Sequence, residues 1–273
     1  VTAKDIEQHQ WRSVPDALQS VPGLNVVQNG GPGGQTSVFI RGTNSAHTKF
    51  LIDGIDVGDP STPNGAYDLG QLMTADIDRI EVLRGPQSGL YGSDAIGGVI
   101  SITTKKGQGP AKVTAMVEGG SRSTANTAAG VTGSQDKLNY ALNVSTYHTG
   151  STPVTPSELL VPGQIRNNDS FTNKTASTKL GYDFTEDFGL NVVARYTDSN
   201  LGYTGDQFPT FVSNGQPGDV QSKQNAHQLF TRSEAVWSLF DGRFKNYFGF
   251  NYGDQYRANM NPYSGFPTAL NPV

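Results

Sequence analysis

Two hydrophobic rhythms divide the chain. Up to Thr104, apolar residues come in short dense runs separated by loops rich in glycine and proline. After Pro110 they recur at every second position, over segments of about the length that crosses a bilayer as a tilted strand. In the first region, Thr2 or Asp5 caps a helix through Ile6 and Trp11. Ser13 caps a second, with Pro15 in its first turn and Ala17, Leu18 and Val21 apolar, and Pro22-Gly23 ends it. Leu24, Val26 and Gln28 open a strand, Val38 and Ile40 belong to another, and Phe50–Ile52 to a third, closed by the hairpin signal Asp53-Gly54. Residues 77–104 carry the densest pattern. Ile80 and Val82 alternate toward Arg84; Gly85-Pro86, Tyr91-Gly92 and Gly97-Gly98 follow; Val99, Ile100 and Ile102 close the stretch. This predicts strand, tight loop, turn and strand, with Pro86 ending the first strand because it cannot donate to a ladder.

In the second region Leu138, Tyr140, Leu142 and Val144 alternate with Asn139, Ala141, Asn143 and Ser145, and Leu190, Val192, Ala194 and Tyr196 alternate in the same way. Phe244, Phe248, Phe250 and Tyr252 share a face opposite Lys245, Gly249 and Asn251. Further strands are expected at 111–119, 124–133, 174–184 and 227–239, which makes seven. The tight connections fall near Arg122 and Gln135, at Thr185–Phe188 and at Asp241-Gly242; the long ones span roughly 149–172 and 199–226. If the first strand runs outward, both long loops face outside and the inner turns are all short, the asymmetry of an outer-membrane barrel. A soluble β-sandwich accounts for the alternation but not for that asymmetry. Tyr140, Tyr147, Tyr182, Phe184, Tyr196, Tyr247 and Tyr252 are expected in the interfacial aromatic girdles.

Composition narrows the function. Glycine contributes 33 of the 273 residues, well above the usual ~7 per cent, which favours turns and close backbone contacts. Mean hydropathy is −0.44 and no run approaches the ~20 apolar residues of a membrane helix, which leaves a strand-built membrane protein open. A net charge of −4 argues against a nucleic-acid partner, and the lack of cysteine removes disulfides and thiolate metal sites. His9, His47, His148 and His227 are scattered. Glu118 and Glu158 show no acid–base partner, and Ser88 lies in no nucleophile elbow, so no enzyme is expected. The loop GGPGGQTS at 30–37 lacks the Lys-Ser/Thr of a phosphate-cradling loop.

The stretch "RIEVLRGP…LYG…AIGGVI" within 77–104 resembles the plug domain of TonB-dependent outer-membrane receptors. So does VFIRGTNSAHTKFLIDGI at Val38–Ile55, with Ile40-Arg41-Gly42 and Leu51-Ile52-Asp53-Gly54. QNGG followed by IRGTN-x-x-H is most similar, within that family, to the cobalamin transporters. The resemblance implies an α+β plug at 1–108, followed at 109–273 by antiparallel strands of a transmembrane β-barrel. The residues after Pro110 are too few for the ~22 strands of about 9–11 residues that plugged transporters use, so a partial receptor is expected.

The resemblance also implies active uptake of a scarce nutrient at the bacterial outer membrane. That nutrient is cobalamin or, alternatively, a ferric siderophore or haem. TonB would couple through a segment before Val1, and outer-membrane lipid would surround the strands. A structural or adhesive surface β-protein is the alternative of another class. The two polar plug loops, 30–37 and 56–70, would face outward and touch ligand, with Gly31, Gly34, Gln35, Ser61, Asn64, Tyr67 and Asp68 as candidate contacts. Arg41, Asp53, Glu81 and Arg84, charges set within apolar strands, would form a polar network fixing the plug in the barrel, the two arginines pairing with barrel glutamates that would fall beyond Val273. No cofactor is expected. Calcium, which cobalamin transporters bind through an aspartate cluster, is not supported, since Asp169, Asp198, Asp206 and Asp219 are dispersed.

Overall fold

The structure is a computed structural model that describes residues 1–60, 62, 65–154, 156–159, 166–205, 220–240 and 242–260. Ser61 and Asn64, Asp206 and Asp219, and Asp241 of the last inner turn therefore lie outside the described residues.

Helix α1 (Ala3–His9) starts where Thr2 and Asp5 form a reciprocal capping box. The two hydrogen bonds from Thr2 hold the Asp5 carboxyl below the usual carboxylate range. Helix α2 (Val14–Gln19) repeats the device with Ser13 and Asp16, and buries Val14, Ala17 and Leu18 completely. Strands β1 (Leu24–Gln28) and β2 (Thr36–Ile40) pair antiparallel. Strand β3 (Thr48–Ile52) turns through Asp53 and Gly54, both at positive φ, into the short β4 (Ile55–Asp56), as the Asp-Gly signal predicts. Strands β5 (Ile77–Arg84) and β6 (Gly98–Thr104) complete a sheet in the order β4-β3-β6-β5, with β3 and β6 parallel. Between them the expected loop contains a four-residue helical turn, α3 (Ser88–Tyr91), which the apolar pattern did not reveal.

The plug core closes between α2 and the sheets. Phe50, Ile52, Ile80, Ile100 and Ile102 meet Val14, Leu18, Leu69 and Leu72, each contributing about 1.5–3 kcal/mol on burial. At Gly98 an added Cβ would stand 2.3 Å from the Leu83 carbonyl oxygen, so the pairing of β5 and β6 at this point requires glycine.

After residues 105–111, seven strands form one antiparallel sheet in chain order: β7 (Lys112–Gly120), β8 (Thr124–Gln135), β9 (Leu138–Thr152), β10 (Asp169–Asp183), β11 (Phe188–Gly205), β12 (Val220–Leu239) and β13 (Phe244–Met260). All seven expected strands are present, but five, β9 to β13, run well beyond the hydrophobic segments that announced them. The loops expected at 149–172 and 199–226 begin only after Thr152 and Gly205, and end at Asp169 and Val220. The extra residues are largely Ser, Thr, Asn and Gln. A ladder needs backbone partners rather than an apolar face, so pairing continues beyond the ~25 Å lipid band.

The wall is inside out relative to a soluble sheet. Along β10 the buried inward residues include Asn173, Thr175 and Ser177, while Leu180 points outward. On β13 Phe244, Phe248 and Phe250 are exposed outward, with Tyr252 on the same face. Tyr182, Phe184 and Phe188 cluster beside the β10–β11 turn with ring centroids 4.8 and 5.5 Å apart, as a girdle requires. Two expected girdle members are corrected. Tyr147 is buried on the inward face against Phe171, and Tyr247 shares its face with Gln255 and Arg257, which reach the plug. Period-two counting places residues on two faces without saying which face is wet. No helix of the described residues is long and apolar enough to cross a membrane.

Candidate functional site

The plug is joined to the inward face of the wall by a ladder of polar contacts that climbs β10 to β13. On β10, Lys179 Nζ lies 2.5 Å from Asp53 Oδ1, and Asp53 also accepts from the Thr104 backbone N–H and hydroxyl. Higher on the same strand Asn173 donates to the Gln71 carbonyl at 2.9 Å, and Phe171 fills the space left by Gly33. On β11, Arg195 Nε donates to Asp76 at 3.0 Å; both side chains are almost fully buried, and Arg195 Nη1 is held by Thr197. On β12, Arg232 donates to the Asp53 carbonyl and pairs with Glu234 on its own strand. The polarity reverses at the other end, where Glu118 of β7 accepts a forked contact from Arg12 of the plug.

The upper end of this seam holds the loop 57–68. Tyr67 donates to Gln228 Oε1 on β12 at 3.3 Å. Gln228 Nε2 donates to Gln255 on β13, and Gln255 Nε2 donates back to the Val57 and Gly58 carbonyls, at 3.3 and 3.1 Å. Arg257 Nη2 stands 3.5 Å from Asp59 and 3.8 Å from Asp68. Burial pushes the Tyr67 hydroxyl up to about 12, which keeps it a proton donor. Burial likewise raises the Asp68 carboxyl, although amide N–H groups of Thr36 and Gly70 both bond its Oδ1. A cavity of about 220 Å³ opens beside this group, lined by Asp59, Ala226, Gln228, Gln255, Tyr256 and Arg257. A second, of about 370 Å³, lies between α1 and β7–β9, among Ile6, Trp11, Met73 and Tyr147; none of the sequence-predicted contacts lines it.

The sequence-predicted residues separate into three groups. Asp53, Tyr67 and Asp68 lie in the seam. Gly31 and Gly34 lie in the glycine loop. Gly31 abuts Thr152 of β9, while Gly34 is buried, an added Cβ standing 1.9 Å from the Asn29 carbonyl oxygen. Here the lack of side chains lets the loop close on itself and on the wall. Gln35 in the same loop is exposed. Arg41, Glu81 and Arg84 are not brought together with Asp53. Arg41 is exposed and in no ion pair among the described residues, Glu81 pairs with Arg79 on its own strand, and Arg84 donates to the Pro22 carbonyl at 2.6 Å. Sequence reasoning missed Lys179, Arg195, Arg232 and Arg257. Their signal was a cation on the same parity as Ser, Thr and Asn, but their plug partners could not be read from spacing. Asp169 accepts from Thr204 N and Oγ1 within the wall, and no cluster of three metal-ligating side chains occurs among the described residues.

A plug of mixed α/β structure, packed against an antiparallel wall with apolar residues outward, is the arrangement of part of a plugged β-barrel. The family model "TonB-dependent Receptor Plug Domain" matches residues 1–99. Solved structures extend the likeness across the wall. The pyoverdine outer-membrane receptor FpvA of Pseudomonas aeruginosa is 19% identical with a TM-score of 0.72, over 93% of this chain and 36% of that one. The ferric enterobactin receptor PfeA of the same species is also 19% identical, with a TM-score of 0.62 over 93% and 40%. The siderophore receptor PirA of Acinetobacter baumannii is 20% identical, with a TM-score of 0.60 over 95% and 43%. Residues 1–99 match a TonB-dependent receptor plug domain, and the plug with the seven strands that follow has the fold of these receptor structures. The chain spans less than half the length of the structures it matches. All three bind siderophores by name, and none supports the finer resemblance to cobalamin transporters.

Proposed function

We propose that this receptor imports a ferric siderophore across the outer membrane, with TonB supplying the work. The reading divides the chain into a plug at 1–108 and barrel strands from 109. The single observation that carries it is the pinned loop: the plug segment 57–68 is tied at both ends to β12 and β13, beside a polar cavity. Ligand would meet the plug at the two polar loops. Exposed Gln35 is the contact offered by the first loop, with Gly31 and Gly34 shaping its path. Tyr67 and Asp68 hold the second loop to the wall, so a ligand acting there shifts the plug between docked and released states. Asp53 and its partners Lys179 and Thr104 keep the sheet seated meanwhile. The outward aromatics of β10 and β13 meet lipid.

The test is equilibrium binding to the full-length receptor in detergent, titrating ferric enterobactin, ferripyoverdine, haem and cobalamin. One ferric siderophore is expected to bind with a Kd on the order of nanomolar, about −12 kcal/mol. Cells lacking TonB should retain binding and lose uptake. Tight binding of cobalamin alone, or uptake independent of TonB, overturns the proposal.

A further inference from the structure

The outward face of the wall changes character along one line. Val144, Ala176, Tyr196 and Leu229 stand opposite one another in register across β9 to β12, and they close the apolar band. One step further toward the long connections the same face carries Thr146, Lys174, Asp198 and His227, again in register. The row above holds His148, Thr172, Asn200 and Asn225, and beyond it Lys223 stands opposite Gly202. Four consecutive strands therefore exchange an apolar surface for a polar one at a single level, the mark of a bilayer interface.

The polar collar above that line is taller than a phospholipid headgroup. From Tyr196 to Gly202 the strand runs about 20 Å at ~3.4 Å per residue, which is ~15 Å of height at a tilt of ~40°. The headgroup layer of an ordinary leaflet is only about 5–7 Å deep. The charge of the collar is uneven as well. Lys174 and Lys223 are exposed and make no ion pair among the described residues. Against them, and against His148 and His227, this face of the four strands sets one carboxylate, Asp198. Both imidazole rings are held in place: His148 Nδ1 lies 2.8 Å from Thr172 Oγ1, and His227 stacks on Tyr256 of β13 with ring centroids 4.8 Å apart.

We propose that this collar binds the phosphorylated saccharide headgroup of an outer-leaflet glycolipid. Lys174 and Lys223 pair with its phosphates, Thr172, Asn200 and Asn225 exchange hydrogen bonds with its sugar hydroxyls, and its acyl chains run down the band below Val144 and Tyr196. Continuity selects the occupant: a lipid lying on the apolar rows must set its polar end against the rows directly above them. The height of the collar selects a sugar over a bare phosphodiester. An exposed lysine gains little from a free anion in water. A headgroup tethered by acyl chains on the adjoining band is presented to the same lysine at high effective concentration. The inference rests on the outer-membrane placement of the wall and is independent of which cargo the receptor carries.

The experiment is lipid binding to the full-length receptor in detergent, read by native mass spectrometry and by melting temperature. The probes are diphosphoryl lipid A (a disaccharide carrying two phosphates), phosphatidylglycerol and phosphatidylcholine. Lipid A is expected to stay bound and to raise the melting temperature, while both phospholipids exchange with detergent. Lys174→Ala and Lys223→Ala should each weaken lipid A binding about fivefold, and together roughly twentyfold. Both side chains point away from the plug, so the variants should keep the folded barrel's heat-resistant migration on a gel. Lys137→Ala, on an inner turn at the other end of the wall, should bind lipid A as the parent does. Retention of phosphatidylglycerol as strong as that of lipid A overturns the inference, because the collar would then be a surface for any anionic lipid. Lipid A binding that survives intact in the Lys174→Ala/Lys223→Ala double variant also overturns it. So does a concentration-dependent dimer that lipid A fails to dissolve, which would put a second copy of the chain on this face.

Discussion

Strands β6 and β13 are both rich in large apolar residues, and they place them oppositely. Val99, Ile100 and Ile102 of the plug are essentially inaccessible, whereas Phe248 and Phe250 of the wall are 81% and 68% exposed. The plug obeys the rule of a water-soluble domain, with an aliphatic core under a mixed sheet and two capped helices. The wall reverses it, with polar side chains inward and aromatics outward, because lipid replaces water on one side and the plug fills the other. Between the two lies an interface that mixes ion pairs with apolar contacts: Phe230 of the wall joins the plug core, and Tyr147, Phe171 and Leu201 pack on Met73, beside the Asp53–Lys179 and Asp76–Arg195 pairs.

The largest effect expected from breaking this arrangement is at the Asp76–Arg195 pair. Arg195→Met should lower stability by about 3–5 kcal/mol, because Asp76 keeps a buried charge without its partner. Adding Asp76→Leu should restore most of that loss, as thermal unfolding in detergent would show. If the double variant is no better than the single, the pair holds the plug through geometry rather than charge.

Ile100→Ala, in the plug core, should cost about 2–5 kcal/mol. It should shift the plug's unfolding while the heat-resistant migration of the barrel on a gel stays the same. A common shift of both would mean that plug and wall melt as one unit.

The outward face is tested by charge. Phe250→Arg should oppose membrane insertion by about 2–4 kcal/mol if the residue lies near the bilayer midplane, and reduce the yield of folded barrel in lipid vesicles. Gly249→Arg, one residue away on the inward face and opposite Glu234, should insert as well as the parent.

The smallest effect is a pH dependence. Burial raises the Asp68 carboxyl, so the native state holds a proton more tightly than the unfolded chain. Between the unfolded value of 3.8 and the raised native one, stability should fall as pH rises, and the penalty is complete above that window. Asp68→Asn keeps an oxygen for the Thr36 and Gly70 amides and loses the charge. Its unfolding profile should be flatter across the same window, which a pH series of melting curves would resolve.

The sequence by itself determined most of the scaffold. The capping pairs Thr2–Asp5 and Ser13–Asp16, the Asp53-Gly54 hairpin and the seven alternating strands are local signals, written within a few residues of where they act. Asp53, Tyr67 and Asp68 also stand out in the sequence as polar residues in telling places, and the plug motifs are legible there. What the tertiary structure decided was pairing across the gap. Asp53 meets Lys179, 126 residues away, and Tyr67 meets Gln228 at a separation of 161. No periodicity within a strand encodes a partner on another domain. Arg41 and Arg84 looked equally suited to such a network and lie exposed here, while Arg195 and Arg257, unremarked in the pattern, reach the plug. Strand alternation assigns each residue to one of two faces, but only the docking of the plug shows which carboxylate waits opposite it.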